Sequence, residues 1–444
     1  MIVVLGGGPA GRIASIRLAS AGKQVMLVES GGIGGQCLHF GCMPVCALTD
    51  AARILDSARR FYHLGIVDSV PKIHFPRLLT EMRAIQQNIA SVLDAETKAA
   101  GVNIVYGKTG RIDGNRVFVG DALVEAESVI AATGSRPNIP AIDGISLPGV
   151  YTPHTLPAIQ ALPKKLVIIG GNVMAAEFAY IFSRFGSEVT VLSRSGFLKT
   201  LDRHLRAVAI KELAGVKIHE GARVTSIQGP SRVTSVNYHS GDDTSSIDAD
   251  TVLVAAGLVP RSEQITGVQK GLLGEVIVND RMQTSVHCVY ACGDVTGPPY
   301  LTPVARHEGL VAADNILGRE RRMHYQYIPQ SINLAHELAY CVTIDEGSAA
   351  ITIPGPAGPG TFWAVPVGDT GLAKVMADPK TGEITGMCAA GPGGGLVAGY
   401  LAFLMQRHIT VHDFCDFIEV HPSTDGVYWL ARYTSEMLNK RNSS

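Results

Sequence analysis

Two apolar runs break abruptly on glycine and resume as helix: MIVVLGGGPAG at residues 1–11 and KKLVIIGGNVMAAE at 164–177. A strand that gives way to a helix across a tight glycine turn commits the chain to a doubly wound, mostly parallel sheet. Finding it twice implies an internal duplication. In the first copy Gly6, Gly8 and Gly11 supply the tight turn, the close approach of backbone to a pyrophosphate and the packing of helix on strand. Glu29 closes the next strand (QVMLVE), eighteen residues after Gly11, where a ribose hydroxyl would lie.

The rest of the chain fits around those copies. With 444 residues, 46% of them hydrophobic and 17% charged, it buries a large core and divides into about three units. The formal charge of -1, with no basic run denser than Arg319, Arg321 and Arg322, argues against nucleic-acid or membrane-surface partners, and that trio reads as a solvated loop. Ile2–Leu5 is too short for a secretory apolar region, and residues 396–405 are too few to cross a bilayer, which needs about 20. A cytoplasmic protein is expected.

Residues 76–100 carry Leu78, Leu79, Met82, Ile85, Ile89, Val92 and Leu93 at helical spacing, which predicts a core-facing helix. From residue 323 the texture changes to short β segments, a Pro/Gly loop (IPGPAGPG), a turn at 378–383 and two helices, with fraying expected over 440–444. The expected fold class is α/β, with two Rossmann-like units and a C-terminal α+β unit. The expected boundaries are 1–146, 147–260, 261–322 (returning to the first unit) and 323–444.

Cysteine usage is sparse for a disulfide scaffold, and only Cys37, Cys42 and Cys46 cluster. Cys288 and Cys292 bracket a buried strand rather than a metal site, Cys341, Cys388 and Cys415 read as small core residues, and no metal centre is expected. In GGIGGQCLHFGCMPVCALTD the glycines and Pro44 place Cys42 near a helix N-terminus, whose field stabilises a thiolate. Redox chemistry at Cys37 and Cys42 is the expectation; a structural disulfide or a half-built metal site is the alternative.

GGGPAG, GGQCLHFGCMP, AATGSRP, GGNVMAAE, QTSVHCVYACGDV with LTPVARHEG, GLAKVMADPKTGEITG and EVHPSTD stand in one order along essentially the whole chain. In these it resembles the class I pyridine nucleotide-disulfide oxidoreductases, and most of all their dihydrolipoamide dehydrogenase branch. The resemblance implies FAD, NADP(H) or NAD(H), a small or lipoyl-type disulfide substrate and a homodimer whose active site is shared between chains. It implies that Cys37 meets the substrate disulfide, that Cys42 lies over the flavin and that His421 is an acid/base serving the partner subunit's cysteines. Gly6, Gly8, Pro9, Ala10, Gly11 and Glu29 would hold the ADP half of FAD. Gly35, Gln36, Ala132, Thr133, Gly134, Asp294, Thr302, Pro303, Val304 and Ala305 would line the flavin half, and Gly170, Asn172, Arg194 and Gly257 the nicotinamide nucleotide.

Three departures bear on electron flow. Val45 and Cys46 stand where the family carries a lysine paired with a glutamate, so Glu177, the matching glutamate, is expected to protonate or find another donor. Asn172 replaces a motif glycine and is expected to crowd the pyrophosphate, Val173 replaces a gating aromatic, and Ser193-Arg194 replaces an acid, favouring a 2′-phosphate. Gly426 replaces the glutamate behind His421, leaving Asp425 as a candidate partner. These departures keep open a dithiol-flavin centre coupled to a non-nicotinamide donor or to carbon-sulfur chemistry. A mercuric reductase reading is weakened because no cysteine follows Cys415.

Overall fold

The computed structural model describes residues 1–342 and 351–442. Ile2–Leu5 is buried in the middle of a parallel five-stranded sheet, between Val25–Glu29 and Ser128–Ala131, with Asn103–Tyr106 and Val289–Ala291 outside. The second copy repeats the plan. Lys165–Ile169 lies between Glu188–Ser193 and Thr251–Val254, with Lys217–Glu220 and Val150–Tyr151 outside, again all parallel. Both central strands are covered on two faces, which is why they read as unbroken apolar runs.

The duplication extends to the turns. A Cβ on Gly6 would stand 2.2 Å from the Ala132 carbonyl oxygen, and one on Gly170 would stand 2.2 Å from the Ala255 oxygen, so neither position admits a side chain. Gly34 N–H donates to Gly7 O in the first copy, and Leu198 N–H donates to Gly171 O in the second. Gly11 lets the helix Pro9–Ser20 press against the turn, since a Cβ there would lie 2.0 Å from Gly6 O.

The long helix spans Phe75–Ala99, as the spacing predicts, but its buried face is Phe75, Leu79, Met82, Gln86 and Thr97. Ile85 and Val92 instead stand 57% and 56% exposed, because the helix lies across the surface and only one narrow stripe meets the core.

The C-terminal unit is an antiparallel sheet ordered Gln330–Asn333, Glu337–Val342, Ile384–Gly391, Leu372–Ala377, Ile351–Gly355, carrying helices Gly394–Met405 and Gly426–Asn442. Part of the expected Pro/Gly loop is thus strand: Pro354 pairs with Lys374 at the sheet edge, where a missing N–H is tolerated. Lys440, Arg441 and Asn442 continue the last helix, and 443–444 lie outside the described residues. Cys341 and Cys388 are buried, but Cys415 is exposed, just past the short turn Val411–Phe414. Among the described residues no helix is long and apolar enough to cross a membrane.

An exposed helical Gly→Ala change stabilises by up to about 1 kcal/mol, whereas overpacking costs about 1–3 kcal/mol. Gly11→Ala is therefore expected to lower the urea midpoint, and a rise would show that the helix does not rest on the Gly6 carbonyl.

Candidate active site

The cysteine pair is built by a break between two helices. Gly34 and Gly35 take positive φ (97° and 56°), a single turn runs Gly35–His39, and the helix Cys42–His63 starts at the second cysteine. Gln86 Nε2 from the long helix donates to Leu38 O (2.6 Å) and His39 O (3.3 Å), pinning the first turn. The two free thiols consequently face each other within hydrogen-bonding range, with Thr302 Oγ1 3.5 Å from Cys42 Sγ.

This arrangement shifts the two thiols in opposite directions. The hydrogen bond with Cys42 lowers the Cys37 thiol to about 6 against the opposing effect of burial, with Thr302 and the Arg306 charge adding to the lowering. Cys42 is pushed far up, first by that same bond and then by burial. The shared hydrogen bond thus lowers the Cys37 thiol and raises Cys42, opposing the field that the helix end places on Cys42.

A cavity of about 450 Å³ runs from Gly6, Gly8, Pro9, Ala10 and Glu29, past Gly35 and Gln36, to Cys37, Cys42, Ala132, Thr133, Gly134, Asp294, Thr302 and Ala305. None of Gly11, Pro303 and Val304 lines it: Gly11 and Val304 are buried in packing behind the wall, and Pro303 is exposed in the first turn of the helix Thr302–Ile316. The cavity fits a dinucleotide: its volume lies in the ligand range, and a helix N-terminus opens onto it at Gly8–Ala10. The backbones of Gly8 and Gly35 also approach so closely that a Cβ on Gly35 would meet Gly8 Cα at 2.7 Å. Glu29 accepts from Gly7 N–H (2.6 Å) and Gly31 N–H (2.7 Å), which holds its carboxylate at the cavity wall beside the glycine turn.

Sequence reasoning missed the polar chain along one wall. His154 Nε2 donates to Gln36 Oε1 at 2.9 Å, and Ser135 Oγ bridges Gln36 Oε1 (3.3 Å) and Asp294 Oδ2 (2.6 Å). His154 stacks on Phe40 at 4.8 Å and is held neutral, its pKa lowered to about 4 by burial and by the charge of Arg261. No motif marks it, since its partner lies 118 residues away.

The departures resolve as geometry. Glu177 is buried, and its Oε1 accepts from Asn333 N–H (2.9 Å) and Asn333 Nδ2 (3.3 Å), so an amide and a backbone donor take the place of the ammonium. Burial still raises its carboxyl to about 7, against the lowering effect of those bonds. Asn172, expected to crowd a pyrophosphate, has both ends of its amide engaged locally. It caps the helix Val173–Phe185, accepting from Ala175 N–H and donating from Nδ2 to Ala255 O, both at 3.1 Å. Arg194 is exposed at the end of its strand with no ion pair among the described residues, and Gly257, at φ 98°, opens the turn after Thr251–Val254. Asp425, buried, does reach His421: its Oδ2 lies 2.5 Å from Nδ1, which leaves Nε2 of the exposed ring free.

These features define a class of protein. The chain belongs to the pyridine nucleotide-disulphide oxidoreductases: that family matches residues 1–309, and its dimerisation domain matches residues 359–432. The chain is similar to the dihydrolipoyl dehydrogenase of Geobacillus stearothermophilus, 30% identical over 95% of this chain and 93% of the other, and to that of Bacillus subtilis (strain 168), 28% identical over 95% of both. Of solved structures, LpdA from Mycobacterium tuberculosis is similar at a TM-score of 0.86, with 25% identity over 98% of this chain and 99% of that one. The HOCl-induced flavoprotein disulfide reductase RclA from Escherichia coli shares the fold, with a TM-score of 0.84 and 24% identity over 97% and 99%. The chain is thus an FAD-dependent disulfide oxidoreductase of the dihydrolipoyl dehydrogenase type, using FAD and NAD(H).

Two outcomes are expected. In the reduced protein Cys37 alkylation, read by mass spectrometry, rises with pH around 6, and Cys42→Ala moves the rise toward the ordinary thiol range of about 8.5; an unmoved profile would refute the shared hydrogen bond. For Glu177, a folded pKa of about 7 lies above the ordinary 4.5, so its contribution is fully present below about 4.5 and is lost as pH rises to 7. The loss is on the order of 3 kcal/mol. Glu177→Gln is expected to flatten stability between those pH values, as read from chemical denaturation, whereas an unchanged slope would place the titration elsewhere.

Proposed function

We propose that Cys37 and Cys42 are the redox pair through which a reduced nicotinamide nucleotide delivers electrons to a small lipoyl-type disulfide. The observation that carries this is the pairing of the two thiols at one end of the dinucleotide cavity, one of them at a helix start. FAD bound in the cavity would supply two-electron redox chemistry between the nicotinamide and the cysteine pair. Gly6, Gly8, Gly11 and Glu29 would hold its ADP half, Gln36, Ser135 and Asp294 would bind its sugar-alcohol chain, and Thr302 holds Cys42 at the cavity wall. The boundaries 1–146 with 261–322, 147–260 and 323–444 describe the FAD, nicotinamide and dimerisation units.

The Cys37 thiolate attacks the substrate disulfide, forming one S–S bond as the substrate S–S bond breaks. Cys42 sulfur then displaces the second substrate sulfur and closes the Cys37–Cys42 disulfide. His421 Nε2 supplies and removes the protons, and Asp425 at Nδ1 fixes the tautomer and supports the ring's positive charge. In one chain His421 is not among the residues lining the cavity, and it is flanked by Ile418 and Val420, which are 91% and 78% exposed. This supports a homodimer in which each His421 serves its partner's cysteines. The unpaired Arg194 supports acceptance of a 2′-phosphate, hence NADPH alongside NADH.

The alternative coupling to a non-nicotinamide donor or to carbon-sulfur chemistry drew on the departures at Val45 and Cys46, Asn172 and Gly426; around them Asn333 donates to Glu177, Asn172 caps its own helix and Asp425 meets His421. Steady-state assay of lipoamide, CoA disulfide and glutathione disulfide with both nucleotides tests the reading. Lipoamide is expected to turn over fastest, Cys37→Ser to lose at least 1,000-fold while retaining FAD, and His421→Ala to lose about 100- to 10,000-fold. Mixed dimers of Cys37→Ser with His421→Ala are expected to regain one working site. Undiminished lipoamide turnover by Cys37→Ser would sink the redox pair, and mixed dimers without recovery would sink the shared site.

A further inference from the structure

Away from the dinucleotide cavity, one cluster of metal-ligating side chains stands out among the described residues, where the second Rossmann-like unit meets the C-terminal sheet. Glu212 ends the helix Arg203–Glu212, His336 lies in the turn before Glu337–Val342, and Asp369 precedes Leu372–Ala377. One ligand atom from each lies within 4.8 Å of the other two. His336 Nδ1 is 2.6 Å from Glu212 Oε1 and 3.7 Å from Asp369 Oδ2.

Each carboxylate is oriented through its other oxygen. His336 N–H donates to Glu212 Oε2 at 3.2 Å, and Gly371 N–H donates to Asp369 Oδ1 at 3.1 Å, so Glu212 Oε1 and Asp369 Oδ2 are turned to the imidazole. Backbone support of this kind is what holds metal-ligating carboxylates in place. Two carboxylates face one ring, so even a protonated imidazole leaves one negative charge within the cluster, whose Glu212, His336 and Asp369 side chains are only 3%, 7% and 17% exposed. No lysine or arginine pairs directly with it among the described residues. Arg60 acts on the ring without pairing to either acid, and Lys211 donates to Gly368 O.

A divalent ion would balance both carboxylates. With metal-ligand bonds of about 2.0–2.2 Å, tetrahedral ligand atoms sit about 3.4 Å apart. The observed 2.6 and 3.7 Å bracket that separation, so side-chain shifts of under about 1 Å open the site. We propose that Glu212, His336 and Asp369 form a site for a divalent first-row cation of the Mn²⁺ or Zn²⁺ class, with one nitrogen and two carboxylate-oxygen ligands and water completing the shell. The ion enters as the proton between His336 Nδ1 and Glu212 Oε1 leaves to solvent. It staples the two units together and stiffens the turn that begins at Asn333, the residue that holds Glu177.

Mn²⁺ is the probe, because the thiols of Cys37, Cys42 and Cys46 prefer softer ions. Titration of the FAD-loaded enzyme, followed by loss of the free-ion electron paramagnetic resonance signal, is expected to show one Mn²⁺ per chain, displaced by Zn²⁺. His336→Gln and Asp369→Asn are each expected to weaken binding at least tenfold, and the rise in melting temperature that Mn²⁺ brings is expected to vanish in both. His336→Gln also breaks a buried ion pair, so Asp369→Asn, which leaves that pair standing, is the deciding variant. No Mn²⁺ bound at millimolar concentration, or equal binding and equal thermal shift in Asp369→Asn, would overturn the proposal.

Discussion

Two carbonyl oxygens, Ala132 O and Ala255 O, occupy the places where Cβ atoms of Gly6 and Gly170 would be, and the molecule is arranged around those contacts. Each is the end of one strand closing over the turn of its neighbour, which sets where the following helix begins. In the first copy that start opens onto the cavity. Every group that faces a bound dinucleotide is thus placed relative to backbone that has almost no freedom to move.

The two copies share geometry and differ in chemistry. In the first, Glu29 reaches the glycine turn and Gly8 leaves the backbone bare. In the second, Ser193 is buried against Gly171, Arg194 is exposed, and Asn172 is folded back into its own helix cap. Two ordinary hydrogen bonds, to Ala175 N–H and to Ala255 O, tie that asparagine to the scaffold.

Much of this was legible because strand-glycine-helix units, a cysteine pair before Pro44 and a histidine with an acid four residues on are all local in sequence. What was not legible depends on contacts between distant segments. Gln86 clamps the cysteine turn across 48 and 47 residues, His154 reaches Gln36 across 118, and Asn333 reaches Glu177 across 156. The spacing of the long helix indicated amphipathicity but not the breadth of its contact, so Ile85 and Val92 were assigned to the core wrongly. The position of Cys42 at a helix start was foreseeable; the hydrogen bond it shares with Cys37, which shifts the two thiols in opposite directions, was not.

The loss of the lysine beside Cys42 shows how a buried carboxylate is kept without its cation. An ammonium would stabilise Glu177 by charge, whereas Asn333 offers two neutral donors, which only partly offset the cost of desolvation. The carboxyl is therefore left near the middle of its titration at neutral pH instead of firmly ionised. Cys46, which fills the space on the helix one turn past Cys42, feels that charge as a further brake on its own ionisation, burial being the main one. The substitution of a thiol for an ammonium thus leaves the Cys37 and Cys42 thiols near a carboxyl whose charge follows pH, and the strand that supplies Asn333 becomes the element that sets it.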